Sequence, residues 1–197
     1  MTKTLFIIIS LAILHCSFAQ QIRFRFAAGD RAATIYPFTH AFDNKLYPVI
    51  QTGFEYQYYE KNRFCLNQSL VFHYNYHPYL GYDFGIFSEA SGSYKFKKPF
   101  YIQLNLGVGY LGELPADKTY KLNGNGEYIE VRPLHSMVST SLSLMIGYEF
   151  ENGFSIFSSY QYAIEFPYNR IVGILPTDYL LLGMKVKLVK NMKNEKP

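Results

Sequence analysis

The chain has 197 residues, a length suited to one domain, and carries 19 Lys and Arg against 15 Asp and Glu. A net charge of +4 is too small a balance to predict a nucleic-acid partner. Aromatic residues are 18% of the chain, 19 Tyr and 17 Phe with no Trp, and beyond the first segment no run nears the ~20 apolar residues of a membrane-spanning helix.

Residues 1–19 read as a cleaved signal peptide. Lys3 is a basic start, Leu5 to Leu14 an apolar stretch too short to cross a bilayer, and Ser17-Phe18-Ala19 a small-residue cleavage site. Cys16 raises the alternative of a lipoprotein, but His15 precedes it where such sites need a small residue. Removal of residues 1–19 leaves one cysteine, Cys65, and therefore no internal disulfide framework.

From there the informative signal is an alternation of period two. Ile22, Phe24 and Phe26 face away from Arg23 and Arg25. Ile50, Phe54, Tyr56 and Tyr58 alternate with Gln51, Gly53, Glu55 and Gln57. Phe64, Leu66, Leu70, Phe72 and Tyr74 alternate with Asn67, Ser69, His73 and Asn75, and Leu80, Tyr82, Phe84 and Ile86 with Gly81, Asp83 and Gly85. Phe100 to Tyr110 is the clearest case, with apolar residues at every even position and Tyr101, Gln103, Asn105, Gly107 and Gly109 between them. The pattern returns in Ser141–Phe150, in Phe154–Glu165, where Phe157 interrupts the polar face, and in Leu180–Leu188. Successive side chains of a strand point to opposite faces, so the chain predicts eight strands, each with two unlike environments.

The connections alternate in length. Glu60-Lys61-Asn62, Phe96-Lys97-Lys98 and Glu151-Asn152-Gly153 are tight polar turns, Asn152-Gly153 being a strong hairpin signal. Gly29 to Leu46, Gly112 to His135 and Phe166 to Thr177 are long, with the brief His77-Pro78-Tyr79 link as the exception. Short turns at one end and long loops at the other, with an even strand count, are the pattern of small outer-membrane barrels.

Volume decides which face looks inward. An eight-stranded barrel has room inside only for side chains. The Gly, Ser, Asn and Gln face fits there, and the Phe, Tyr, Leu and Ile face must turn outward, where a bilayer is its solvent. The expected fold is thus an all-β, eight-stranded antiparallel up-and-down transmembrane β-barrel over residues 20–189, preceded by a cleaved signal peptide and followed by a polar periplasmic tail, 190–197. Tyr56, Tyr58, Tyr94, Phe96, Phe100, Tyr148 and Phe150 are expected in one aromatic girdle, and Tyr74, Tyr82, Tyr110 and Tyr162 in the other. The polar face puts Arg23, Arg25, Lys185 and Lys187 against Glu55, Asp83, Glu89, Glu149 and Glu165, and predicts a lumenal charge network in place of an open pore.

On these features the chain resembles the small eight-stranded outer-membrane barrels of Gram-negative bacteria, of the OmpA/OmpX type, over about Ile22 to Leu188. The resemblance implies a place in the outer membrane, contact with its lipid and lipopolysaccharide, and delivery by the barrel-assembly machinery. It implies no cofactor and fixes no activity. The leading expectation is a non-enzymatic barrel serving envelope structure or surface recognition, with Lys118, Tyr120, Tyr128 and Arg132 of the longest loop as contacts for an extracellular protein or glycan. The alternative is a lipid A-modifying enzyme of the deacylase kind. Its nearest nucleophile and base are Ser136 and His135, adjacent in sequence where the deacylase pattern is similar to His-x-Ser. A third is a lipocalin-like soluble barrel holding an apolar ligand, against which the volume partition and the lack of Trp both speak. His73 and His77, with Asp83 expected across from His73, are the weak candidates for a divalent metal.

Overall fold

The structure is a computed structural model that describes residues 21–33, 47–78, 81–97, 99–116, 119–131, 134–167 and 173–189. Ten strands form. They are β1 (Gln21–Ala33), β2 (Pro48–Lys61), β3 (Phe64–His77), β4 (Gly81–Lys95), β5 (Phe100–Leu114), β6 (Thr119–Leu122), β7 (Tyr128–Val131), β8 (His135–Glu149), β9 (Phe154–Phe166) and β10 (Leu175–Val189). Eight of them close into a barrel in the order β1-β10-β9-β8-β5-β4-β3-β2, while β6 and β7 pair as a separate hairpin. Each barrel strand runs antiparallel to its sequence neighbour, and β1 pairs with β10 to complete the ring. The all-β, eight-stranded antiparallel barrel expected from the alternation is the fold observed.

Burial follows the alternation residue by residue. In β5, Tyr101, Gln103 and Asn105 are buried while Leu104, Leu106 and Val108 are exposed. The exposed face is the apolar one. Leu104 is 50% exposed, Ile146 56% and Leu182 69%, whereas Arg25, Glu55 and Lys185 are at most 1% exposed. The core of this protein is therefore the barrel lumen, which is mostly polar, with apolar clusters around Val49, Met145 and Leu181 and around Val71, Leu111 and Met137.

Turn chemistry fixes the register at the short end. Asn62 holds φ 57° between β2 and β3, and Gly153 holds φ 82° between β8 and β9. Both are the left-handed region, which Asn tolerates and Gly occupies freely. Phe150 and Phe154 close the second turn through Phe150 N–H to Phe154 C=O at 2.8 Å. A bulge in β2 leaves Tyr58 without a partner in the β3 ladder, so Tyr58 and Tyr59 are both exposed there.

Three loop boundaries differ from the sequence expectation. β1 continues through Gly29–Ala33, β5 runs to Leu114 with β8 starting at His135, and β10 starts at Leu175. The Ala27-Ala28-Gly29 stretch carries no bulky residue to mark its outward face, so the alternation fades although the ladder with β2 and β10 continues. The second difference is the β6–β7 hairpin. Its turn is held by Asn123, whose side-chain oxygen accepts from the Asn125 and Glu127 amides at 3.0 and 2.9 Å. The signal-peptide and tail assignments, 1–19 and 190–197, together with Lys118 and Arg132, lie outside the described residues.

Candidate functional site

The lumen is crossed by ion pairs, most of them between strands that are not neighbours. Near the short-turn end, Glu149 on β8 faces Lys187 of β10 at 2.7 Å, Arg23 of β1 at 3.5 Å and Lys95 of β4 at 4.0 Å. One layer deeper, Lys185 of β10 reaches Glu55 of β2 at 2.6 Å, and Arg23 lies 3.8 Å from the same carboxylate. Gln103 of β5 joins this pair, donating to Glu55 at 3.0 Å and accepting from Lys185 at 2.9 Å. Next, Arg25 of β1 pairs with Glu89 of β4 at 2.6 Å and donates to Gln51, which donates in turn to Gln161 at 3.0 Å. Toward the long-loop end, Arg31 pairs with Asp83 of β4 and with Glu165 of β9. Glu165 also accepts from Thr177 at 3.1 Å and Tyr179 at 3.0 Å, and Asp83 accepts from Asn75 at 3.0 Å.

The nine residues expected in the network, Arg23, Arg25, Glu55, Asp83, Glu89, Glu149, Glu165, Lys185 and Lys187, thus meet inside the barrel. Arg31, expected in the Gly29–Leu46 loop, belongs to β1 and to the same network. Its parity with Arg23 and Arg25 was the available signal, masked by the small residues between. Isolated buried charges are costly, so each buried cation here needs a carboxylate within hydrogen-bond reach across the lumen. The arrangement ties β1 and β10 to β2, β4, β8 and β9 through side chains as well as backbone.

Tyr101, Phe87 and Phe157 also fill the lumen, each directly across the ladder from a glycine. Tyr101 pairs with Gly147, Phe87 with Gly109, and Phe157 with Gly183. A Cβ built at Gly147 would lie 2.3 Å from the Tyr101 ring, at Gly109 2.4 Å from the Phe87 ring, and at Gly183 2.4 Å from the Phe157 ring. Phe157, which breaks the polar alternation of β9, is therefore a lumenal residue, and the Arg25 guanidinium lies 5.5 Å from its ring centre. Lys185 stands at the same distance from Tyr101.

The outer surface has the complementary order. At the short-turn end Tyr94 packs on Phe96, Phe100 on Tyr148, and Tyr148 on Phe150, at 4.8 to 5.3 Å between ring centres. At the other end Tyr82 packs on Tyr76 at 4.9 Å and on Tyr74 at 6.4 Å. Between these two sets of rings lie Leu104, Leu106, Leu142, Leu144 and Ile146, all exposed.

The metal candidates do not converge. His73 is opposite Gly85, and it is Asn75, two residues on, that faces Asp83, which corrects the expected His73–Asp83 pairing. The Asp83 carboxylate is engaged by Arg31 and Asn75. His73 packs edge-on against Tyr179 and Phe87 with Gln51 at 3.4 Å, while His77 stacks on Tyr47 at 4.0 Å. Among the described residues no group of three His, Cys, Asp or Glu is placed to hold a metal ion. For the catalytic candidates, His135 is opposite Glu113 and Ser136 opposite Gly112. The Ser136 hydroxyl accepts from Tyr110 on the outer face, away from the imidazole. Of the loop candidates, Tyr120 and Tyr128 sit on the β6–β7 hairpin, 56% and 75% exposed, and Leu122 beside them is 61% exposed.

Solved structures of the same shape are small outer-membrane barrels. The chain is similar to Neisserial surface protein A, with 12% identity and a TM-score of 0.50, covering 84% of this chain and 94% of that one. It is similar to the outer membrane enzyme PagL, with 11% identity and a TM-score of 0.53, over 83% and 98%. It also matches Ail, the attachment invasion locus protein of Yersinia pestis, with 13% identity and a TM-score of 0.45, over 85% and 96%. No protein-family model matches the chain, and no curated protein matches it in sequence. The fold is that of the small eight-stranded outer-membrane β-barrels. At these identities the likeness defines the fold, and the function rests on the chain's own residues.

Proposed function

We propose that the chain is a non-enzymatic outer-membrane barrel that contributes to envelope structure and presents its long-loop end for surface recognition. The observation that carries this is the inverted burial: an apolar, exposed belt around a lumen of paired charges. In water such a surface is an aggregation hazard, and in a bilayer it is the correct boundary. Closure of β1 on β10 satisfies the backbone hydrogen bonds that lipid cannot. The belt would meet outer-membrane lipid and lipopolysaccharide, and the barrel-assembly machinery would insert the chain. The filled lumen acts as a rigid plug that braces the wall.

Recognition falls to the β6–β7 hairpin because it stands apart from the barrel ladder. Tyr120, Leu122 and Tyr128 share one of its faces, and large aromatic side chains of this kind supply contact area at low entropic cost. The partner is an extracellular protein or glycan. The test is membrane fractionation followed by gel migration with and without boiling. The expected result is recovery in the outer membrane and a faster band in the unboiled sample. Recovery in a soluble fraction, with identical migration in both samples, would overturn the proposal.

A further inference from the structure

At the long-loop end of the lumen, four residues on adjacent strands stand in one row. Asn75 of β3 is opposite Asp83 of β4, Asp83 opposite Glu113 of β5, and Glu113 opposite His135 of β8. Side chains in such a row start about 5 Å apart. Asn75, Asp83 and Glu113 are buried, and the row opens to solvent at His135, where β8 begins. The charge here is not balanced. Glu113 lies in the field of Arg31, Asp83 and Glu165, so three carboxylates share one guanidinium among the described residues. Arg31 commits its two terminal nitrogens to Asp83 and Glu165, which leaves Glu113 over. Two further acceptors agree with the charge. Asp83 Oδ1 and Asn75 Oδ1 receive no hydrogen bond, although Asp83 is 2% and Asn75 0% exposed. A buried acceptor is costly until a donor reaches it.

We infer that this row seats the ammonium of a lysine side chain from the extracellular protein partner, with Asn75 Oδ1, Asp83 Oδ1 and the Glu113 carboxylate as its acceptors. The inference rests on the surface-recognition reading above and gives that partner a basic residue. An ammonium is a compact charge with three donors on a slender four-carbon stem. Three acceptors on three neighbouring strands match it in number, and the Glu113 carboxylate matches it in charge. A guanidinium is a planar fork that suits the two oxygens of one carboxylate, and here those oxygens are divided among strands. A metal ion would find no group of three His, Cys, Asp or Glu in position among the described residues.

Amide NMR titration of the full chain, isotope-labelled and folded in detergent micelles, tests this with three probes. They are the blocked tripeptide Gly-Lys-Gly, the same peptide with norleucine in place of lysine, and calcium chloride. Norleucine keeps the four-carbon stem and lacks the ammonium. The lysine peptide should shift the amides of Asn75, Asp83 and Glu113 at concentrations about tenfold below the norleucine peptide, the factor one charge-assisted hydrogen bond supplies. The preference should fall to parity in Glu113→Gln and be unaltered in Glu60→Gln at the short-turn end of β2. An equal response to the two peptides, a lysine preference that Glu113→Gln leaves intact, or calcium giving the same shifts at lower concentration than the lysine peptide would each overturn the assignment. Migration of the unboiled sample reads folding of every variant. A chain that folds and fractionates with the outer membrane but does not distinguish lysine from norleucine loses this seat and keeps the barrel reading.

Discussion

Lys185→Met is the sharpest probe of the lumenal network. Lys185 is fully buried, 2.6 Å from Glu55 and 2.9 Å from the Gln103 carbonyl oxygen. Methionine fills nearly the same volume, so the substitution removes charge with little loss of packing. Glu55 then keeps Gln103 at 3.0 Å and Arg23 at 3.8 Å as its partners. Removing one member of a buried pair costs about 3–5 kcal/mol, and the surviving contacts to Glu55 place the expected loss near 3 kcal/mol. With a urea dependence of roughly 2 kcal/mol per molar, the unfolding midpoint moves down by about 1.5 M. The assay is urea titration of vesicle-refolded protein, read by the ratio of folded to unfolded bands. Adding Glu55→Gln should recover most of the loss, because the stranded carboxylate is the source of the penalty. A single variant within ~0.5 kcal/mol of the parent, or a double variant worse than the two singles combined, would refute the reasoning.

Other parts of the barrel make equally definite predictions. Arg31→Met strands both Asp83 and Glu165 and should cost more than Lys185→Met in the same titration, toward the upper end of ~3–5 kcal/mol. Gly147→Ala drives a methyl into the Tyr101 ring and should cost about 1–3 kcal/mol, and because the three nearest atoms all belong to that one side chain, the same substitution should cost little in a Tyr101→Ser background. Leu104→Arg places a charge on the exposed belt and should cost about 2–4 kcal/mol in vesicles of ordinary thickness. Cys65, 1% exposed and on the lumenal face, should resist a water-soluble maleimide in the folded protein and react fully in urea.

The strands that were legible in the sequence are those with bulky residues at every second place. Phe100–Tyr110 alternates without a break, and β5 forms there. Where side chains shrink, the signal fades: Ala27-Ala28-Gly29 hides the middle of β1 and with it Arg31, the cation that binds Asp83 and Glu165. Parity alone places Arg23, Glu55 and Lys185 on one face. Which of them touch depends on the shear of the closed barrel, which no single strand encodes. The same limit applies to Asp83, where a β3–β4 register two residues from the expected one puts Asn75 opposite it in place of His73. Phe157 looked like a fault in a polar face until the pairing set Gly147 and Gly183 on either side of it.

The central claim is that the apolar residues of each strand contact lipid while their neighbours fill the lumen. Cysteines placed one at a time from Ile102 to Val108 in a Cys65→Ala background, spin-labelled and reconstituted in vesicles, measure this through collisions with dissolved oxygen. The account predicts high oxygen exposure at Ile102, Leu104, Leu106 and Val108 and low exposure at Gln103, Asn105 and Gly107. A flat profile, or one with the two sets exchanged, would contradict it.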